Sequence, residues 1–156
     1  MDRQRSLGFL LKHVSGLFAQ RFELRARALG LTLAQSKALV NLAKHQGMSQ
    51  SQLAELIDAE PMNLLRIVDR MEADGWLERR ADPADRRARR LYLKPKAGPL
   101  VDRIWELSDQ TRAEALAGIP RPQIEQLIDL LEKMQGNLSA PPAIPAATGR
   151  KRAAAK

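Results

Sequence analysis

Residues 76–94 read WLERRADPADRRARRLYLK, and this stretch decides the predicted fold. Two short runs with apolar side chains, 76–79 and 90–93, have the character of strands and flank a segment rich in arginine. Because that segment is longer than a two-residue turn, the pattern predicts a β-hairpin with an extended basic tip. Such a tip is either a surface for a polyanion or a solvated charged face.

The chain before the hairpin predicts four helices. Apolar residues from Leu7 to Phe22 recur at helical spacing, and Gly30 is typical of the position just past a helix end. Two capping boxes, TLAQ at 32–35 and SQSQ at 49–52, predict the starts of the second and third helices. Pro61 fits the first turn of a fourth helix, which Gly75 ends.

Two further helices are predicted after the hairpin, the second of them ending at Gly136-Asn137. The fold is therefore expected to be mainly α with a small β-wing, a helix-turn-helix followed by a two-stranded hairpin, or winged helix-turn-helix. The apolar faces of the terminal helices can pack only on each other and on a second chain. We therefore expect an obligate-type homodimer whose interface is formed by the N- and C-terminal helices.

The predicted elements divide the chain into three regions. Residues 6–30 and 97–138 form a helical dimerisation region. Residues 31–96 form the winged helix-turn-helix, with the recognition helix at about 61–74 and the wing at about 76–94. Residues 139–156 are rich in proline and alanine and have too little apolar bulk to pack, so they are predicted to be a disordered basic tail.

The net charge is +8 and the pI is about 10.4. Residues 140–156 contain four basic residues and no acid, which leaves 8 − 4 = +4 for the rest of the chain. The absence of cysteine excludes disulfides and thiolate metal sites. The apolar runs are too short to span a bilayer and none follows the N-terminus as a signal would, so a cytoplasmic protein without membrane contact is expected.

The fourth helix has one apolar face and one mixed face. The inward face is predicted to contain Leu64, Ile67, Val68 and Met71, and the outward face Met62, Arg66, Asp69 and Arg70, flanked by Asn63 and Leu65. An outward face of this kind can enter the major groove of DNA, where arginine pairs with guanine or phosphate, asparagine with adenine, and an apolar side chain with a thymine methyl. Alternatively, Arg66 and Arg70 belong to a solvated face, paired with Asp69 or Glu72.

Two other segments are candidate DNA contacts. Ser49 and Gln50 lie at a helix N-terminus, where free backbone N–H groups suit a phosphate, although plain capping accounts equally for them. Arginine suits a narrow minor groove because its guanidinium is planar and weakly hydrated. The candidate wing contacts are therefore Arg86, Arg87 and Arg89. Asp85 is expected to pair with Arg87 and orient it, because an unpaired acid would repel phosphate.

The sequence resembles the MarR family of bacterial transcription regulators. The resemblance rests on residues 65–79, LRIVDRMEADGWLER, on Asp85-Arg86-Arg87-Ala88, and on 91–94, LYLK, followed by Gly98. It covers about residues 6–138 and is closest to the SlyA-like branch. The family's wing motif, Asp-x-Arg and a small residue, matches Asp85, Arg87 and Ala88, but Lys94-Pro95-Lys96 departs from its usual Thr-containing turn.

The resemblance implies a homodimer that binds double-stranded DNA at a pseudo-palindromic operator. Members are usually repressors and sometimes activators that displace silencing proteins. By this resemblance, Arg87 enters the minor groove and Asp85 orients it. Since Glu60-Pro61-Met62-Asn63 is less polar than the family's usual helix start, the bases that are read cannot be carried over.

Many members of the family release DNA when a small aromatic or phenolic anion binds. Candidates near the family's pocket are Phe9, His13, Lys37 and Trp105, which supply an apolar slot and a cation. Phe9 and Trp105 fit a dimer core at least as well. No catalytic set is visible, and His13 and His45 have no metal-ligand spacing with acids, so we expect no enzyme activity, no cofactor and no metal.

Other classes of function stay open at this point. A nonspecific architectural, nucleoid-type protein would use the same basic surface, aided by the tail. A protein-interaction module would use the winged helix to contact another protein. Footprints of operator length would separate a specific regulator from an architectural protein.

Overall fold

The computed structural model describes residues 6–85 and 88–139. Its elements are α1 (Leu7–Ala26), α2 (Leu33–Lys44), β1 (Met48–Ser49), α3 (Gln50–Ile57), α4 (Pro61–Ala73), β2 (Leu77–Ala81), β3 (Arg89–Leu93), α5 (Gly98–Ala115) and α6 (Arg121–Ser139). Short 3-10 turns follow α1 at Arg27–Leu29 and precede α5 at Pro95–Ala97. This mainly helical fold with a small antiparallel sheet confirms the predicted class.

Both predicted capping boxes are formed. The hydroxyl of Thr32 accepts from the backbone N–H of Gln35 at 3.2 Å, and the side chain of Gln35 accepts from the backbone N–H of Thr32 at 2.9 Å. Ser49 and Gln52 repeat this arrangement with the same two distances. Each box satisfies two backbone donors that a helix start would otherwise leave free, which fixes where α2 and α3 begin.

The sheet contains one strand that the sequence did not predict. The order is β1-β3-β2, and both pairings are antiparallel. Leu91 in the central strand lies opposite Met48 on one side and Arg79 on the other. The hairpin is therefore attached to the chain that leads into α3, because Ser49 of β1 is also the N-cap of that helix.

The chain forms two compact units, the first ending at Ala115 and the second beginning at Leu116. The core of the first unit is aliphatic and includes Leu39, Leu42, Leu53, Leu64, Met71, Leu77, Leu91 and Ile104. The predicted inward face of α4 is confirmed, since Leu64, Val68 and Met71 are buried and Ile67 is partly buried against them.

The terminal helices expose many apolar side chains. On α1 these are Leu7, Phe9, Leu10, Leu11, Val14, Leu17 and Phe18, and on α6 they are Leu127, Ile128, Leu130, Leu131 and Leu138. The predicted end of the last helix at Gly136 is wrong, because α6 continues through that glycine to Ser139, which the sequence had assigned to the tail. Gly136 does not adopt the positive φ that ends a helix, whereas Gly118 before α6 does, with φ of 77°.

Residues 140–156, the rest of the predicted tail, lie outside the described residues. Among the helices described, none is both long enough and apolar enough to cross a membrane.

Candidate nucleic-acid interface

The outward face of α4 is exposed at the predicted positions. The side chains of Met62 and Leu65 are 68% and 39% exposed, so both can contact a molecule that approaches this face. Asn63 and Arg66 are also exposed. Within the described residues Arg66 has no ion pair or hydrogen bond, whereas Arg70 pairs with Asp74 at 3.0 Å. Arg66 is therefore the more available of the two cations for an external anion.

Arg79 pairs with Asp69 and Glu72, the two acids that the sequence analysis considered as partners of Arg66 and Arg70. Its guanidinium pairs with Asp69 and with Glu72 of α4, and its backbone N–H donates to Glu72 at 3.1 Å. The side chain of Arg79 is only 18% exposed. The alternative in which Arg66 or Arg70 pairs with Asp69 or Glu72 is therefore wrong, because Arg79 of β2 pairs with both carboxylates.

The two strands of the hairpin are connected by a contact between an arginine and an aromatic ring. Arg80 lies over Tyr92, 4.3 Å from the ring centroid, and its Nε donates to Glu78 at 2.7 Å. Tyr92 in turn lies against Gly47, where a Cβ would come within 2.8 Å of the tyrosine hydroxyl. Gly47 also has φ of +80°, so a larger residue would be strained as well as crowded.

An aspartate that the sequence did not single out lies at the base of the wing tip. Asp82 is 8% exposed, and its carboxylate accepts from Arg90 Nε at 2.7 Å and from the backbone N–H of Ala84 at 2.9 Å. Arg90 also donates to the carbonyl of Gly47 at 3.0 Å. The backbone N–H of Ala84, followed by the Arg90 side chain, holds the pKa of Asp82 below its ordinary value, so the carboxylate stays ionised at neutral pH.

The predicted wing-tip contacts are only partly described. Arg86 and Arg87 lie outside the described residues, and so does the expected pairing of Asp85 with Arg87. Asp85 is exposed, and its backbone carbonyl accepts from the N–H of Ala88 at 3.0 Å. Arg89, the third predicted wing arginine, is exposed at the start of β3.

The two candidates at the start of α3 differ in their partners. The Ser49 hydroxyl is used by the capping box, as the alternative interpretation expected. Gln50 has a buried side-chain nitrogen, Nε2, with no hydrogen-bond partner among the described residues. A buried donor without an acceptor is destabilising, and because this nitrogen is buried, an external acceptor reaches it only if the side chain moves.

The four predicted pocket residues do not form one cavity. Lys37 and Trp105 line a cavity of about 200 Å³ with Phe22, Val40 and Ile104 among its walls. Phe9 and His13 line a separate depression of about 450 Å³ on α1, with their rings stacked 5.8 Å apart. Lys44, which the sequence analysis missed, lies over Trp105 with its Nζ 4.8 Å from the ring centroid. No group of three metal-ligating side chains occurs within residues 6–85 and 88–139.

The chain matches the MarR family model over residues 31–88. It is similar to the crystal structure of the transcriptional regulator PA3341, with 30% identity, a TM-score of 0.76, and coverage of 85% of this chain and 98% of that one. A MarR-family regulator from Silicibacter pomeroyi gives 26% identity, a TM-score of 0.74, and coverage of 86% and 90%.

CouR from Rhodococcus jostii RHA1, solved bound to p-coumaroyl-CoA, gives 25% identity, a TM-score of 0.71, and coverage of 84% and 92%. These similarities extend well beyond the 31–88 segment into the helices on both sides. Members of the family are transcription regulators and not enzymes. The winged helix, the exposed α4 and the similarity over nearly the whole length of these regulators together show that the chain belongs to the MarR family.

Proposed function

We propose that this protein is a sequence-specific transcription regulator that represses by binding a pseudo-palindromic operator as a dimer. The observation that carries the proposal is the α4 surface, where Arg66 is exposed beside Met62, Asn63 and Leu65 and has no partner in the part of the chain that the structure describes. Base recognition in the major groove needs side chains that are free to exchange water for a base edge. Arg79 pairs with both Asp69 and Glu72, and so offsets part of the negative charge that these acids would present to DNA.

The wing supplies the second contact in this proposal. Arg89 is exposed at the end of the hairpin, and the neighbouring Arg87 is assigned to the minor groove by the family resemblance, with Arg86 a further candidate of the basic tip. The start of α3, at Ser49 and Gln50, supplies a third contact, since the first backbone N–H groups of a helix suit a phosphate. Ser49 contributes by fixing the start of α3.

Dimerisation is proposed from the exposed apolar side chains of α1, in the first unit, and of α6, in the second unit. Many exposed apolar side chains along one helix, as on α1 and again on α6, indicate an interface. A two-fold symmetric dimer presents two recognition helices, so the operator should contain two half-sites separated by about one helical turn. Light scattering should give twice the monomer mass, and charged substitutions at Leu10 and Leu17 should lower it.

A small aromatic anion is the proposed signal for release. The cavity lined by Lys37 and Trp105 has apolar walls and a cation at one side, which suits an aromatic carboxylate. CouR, which binds p-coumaroyl-CoA, is a relative whose ligand has this aromatic character. The depression at Phe9 and His13 lies among the exposed apolar residues of α1 and is assigned instead to the dimer interface.

The test is binding to the DNA just upstream of the protein's own coding region, compared with scrambled DNA of equal length across a salt series. A specific complex with two chains per site, weakened by Arg87→Ala, supports the proposal. Equal affinity for both DNAs, with only a salt slope, would contradict it and support the second candidate, a nonspecific architectural protein. The high net charge of +8 is the observation that favours this alternative.

Whether the protein represses, or activates by displacing silencing proteins, is decided by a reporter strain with and without the gene. We expect the reporter to rise when the gene is deleted. We also expect the protein to act in the cytoplasm, associated with the nucleoid when bound to DNA. Assignment to the SlyA-like branch stays a prediction.

A further inference from the structure

The wing contains a buried carboxylate in a region whose other charges are mostly positive. Asp82 is surrounded in sequence by Arg79, Arg80, Arg89 and Arg90, and both of its oxygens are hydrogen bonded. A negative charge at a DNA-binding surface weakens binding to phosphates unless it organises something that binding needs. The contacts of Asp82 identify what it organises.

One oxygen of Asp82 sets the start of the wing tip. It accepts from the backbone N–H of Ala84, two residues further on, which is the local turn that an aspartate side chain makes with its own backbone. The backbone N–H of Asp82 donates to the carbonyl of Ala88 across the hairpin at 3.1 Å. Both ends of the tip are therefore fixed at this residue.

The other oxygen connects the tip with α3. It accepts from Arg90 Nε, and the same guanidinium donates to the carbonyl of Gly47, immediately before β1. Ser49 of β1 lies opposite Arg90 in the sheet and is the N-cap of α3. Hydrogen bonds thus run from Ala84 through Asp82 and Arg90 to Gly47, two residues before the N-cap of α3.

We propose that Asp82 is a positioning residue for operator recognition. It holds Arg90 against Gly47, which removes that arginine from contact with DNA, and it fixes the tip relative to α3. The wing and the helices then meet the two grooves in one fixed arrangement. This inference rests on the proposed function, and it adds a residue distinct from Asp85, whose orienting role comes from the family resemblance.

The test depends on two effects of Asp82→Asn that change operator affinity in opposite directions, the loss of a negative charge and the loss of positioning. Asp82→Asn removes one negative charge from the wing, so simple electrostatics predicts tighter binding to every DNA. Our proposal predicts that operator affinity falls while affinity for scrambled DNA is unchanged or rises. We expect the ratio of the two affinities to fall roughly tenfold, as for the loss of one charge-assisted hydrogen bond. Asp102→Asn makes the same charge change at an exposed position of α5 and should leave the ratio unchanged.

A double-mutant cycle shows whether Asp82 acts through Arg90. Asp82→Asn and Arg90→Gln should each lower the ratio of operator affinity to scrambled-DNA affinity. The double variant should have a ratio no lower than that of the more affected single variant, because both substitutions remove the same contact. Urea unfolding of each variant establishes that it is folded under the binding conditions. Independently of DNA, hydrogen exchange at Ala84 should accelerate in Asp82→Ala, which removes the acceptor of that N–H, while exchange in the core does not.

The outcomes separate the two proposals. If the parent protein prefers the operator and Asp82→Asn keeps the same ratio, the positioning role of Asp82 is refuted and the regulator remains. If the parent protein binds operator and scrambled DNA with equal affinity, the proposed function fails and the inference fails with it. If Asp82→Asn lowers the ratio but its effect adds strictly to that of Arg90→Gln, the claim that Asp82 acts through Arg90 is refuted.

Discussion

Arg79 and Glu72 are joined twice, once through the backbone and once through the side chain of the arginine. The backbone N–H of Arg79 donates to one carboxylate oxygen at 3.1 Å, and the guanidinium pairs with the other. Arg79 lies in β2 and Glu72 in α4, so this pair fixes the hairpin strand against that helix. The same guanidinium reaches Asp69, one turn earlier on α4.

We therefore predict that Arg79→Ala destabilises the protein by about 1–3 kcal/mol, the range for a hydrogen bond to a charged group that leaves its partners unpaired. Urea unfolding followed by circular dichroism measures the change. Arg112→Ala is the matched control, since that arginine forms an exposed pair on α5 and such pairs contribute little. Equal midpoints for the parent and Arg79→Ala would show that the contact contributes no net stability.

Arg66→Ala should lower operator affinity by about 1–3 kcal/mol and relax the preference at one base position in each half-site, as expected for a lost bidentate contact with a base. Binding to a panel of operators with single base changes measures both effects. Arg27→Ala, at an exposed arginine outside the proposed interface, controls for the loss of one charge. A uniform loss across all operators would instead assign Arg66 to phosphate.

An aromatic carboxylate should quench the fluorescence of Trp105 in a saturable way. The chain has two tryptophans, so the titration is made in a Trp76→Phe background with benzoate and 4-hydroxybenzoate as probes. Lys37→Ala should weaken binding several-fold, in proportion to the lost charge interaction. Unchanged fluorescence at millimolar probe would remove the cavity as a ligand site of this class. Quenching without any effect on operator binding would remove it as the signal for release.

Stability should fall in acid through Glu114. The hydrogen bond from Arg25, aided by the charge of Arg21, holds the pKa of Glu114 below its ordinary value of 4.5. A carboxyl with a lowered folded-state pKa stabilises the protein above the unfolded pKa, and this contribution is lost as the pH falls through the folded value. Urea midpoints of the parent and Glu114→Gln should therefore differ at pH 7 and converge below about pH 4.5. A constant difference across this range would contradict the assignment.

Removal of residues 140–156 should weaken binding to all DNA alike. The segment carries four positive charges and no acid, so its loss lowers the net charge from +8 to +4. Fewer released counterions should reduce the slope of log affinity against log salt, while the preferred operator stays the same. A change in operator preference would show that the tail takes part in recognition.

The sequence predicted those parts of the fold whose signals are local. The capping boxes at Thr32 and Ser49 are each complete within four residues, and the helix boundaries they set agree with the structure. β1 was missed because two residues, Met48 and Ser49, cannot show an alternating pattern. Its pairing with Leu91 joins parts of the chain that are far apart in sequence.

The same distinction applies to the candidate site. The exposed face of α4 follows from helical periodicity and was predicted, but the partners of its acids were not. Arg79 reaches Asp69 and Glu72 only because β2 turns back against α4 at Gly75, where φ is 75°. The contacts of Asp82 and the separation of Phe9 from Trp105 likewise depend on tertiary packing, which no short sequence window contains.

The small size of β1 has a consequence for how the protein behaves at high concentration. An exposed sheet edge is a template for strands of other chains, and long flat edges promote aggregation. Here one edge strand offers only two residues, Met48 and Ser49, and the opposite edge, β2, contains the charged run Glu78-Arg79-Arg80. The wing can therefore extend toward DNA without recruiting further copies through its backbone, which leaves self-association to the helices.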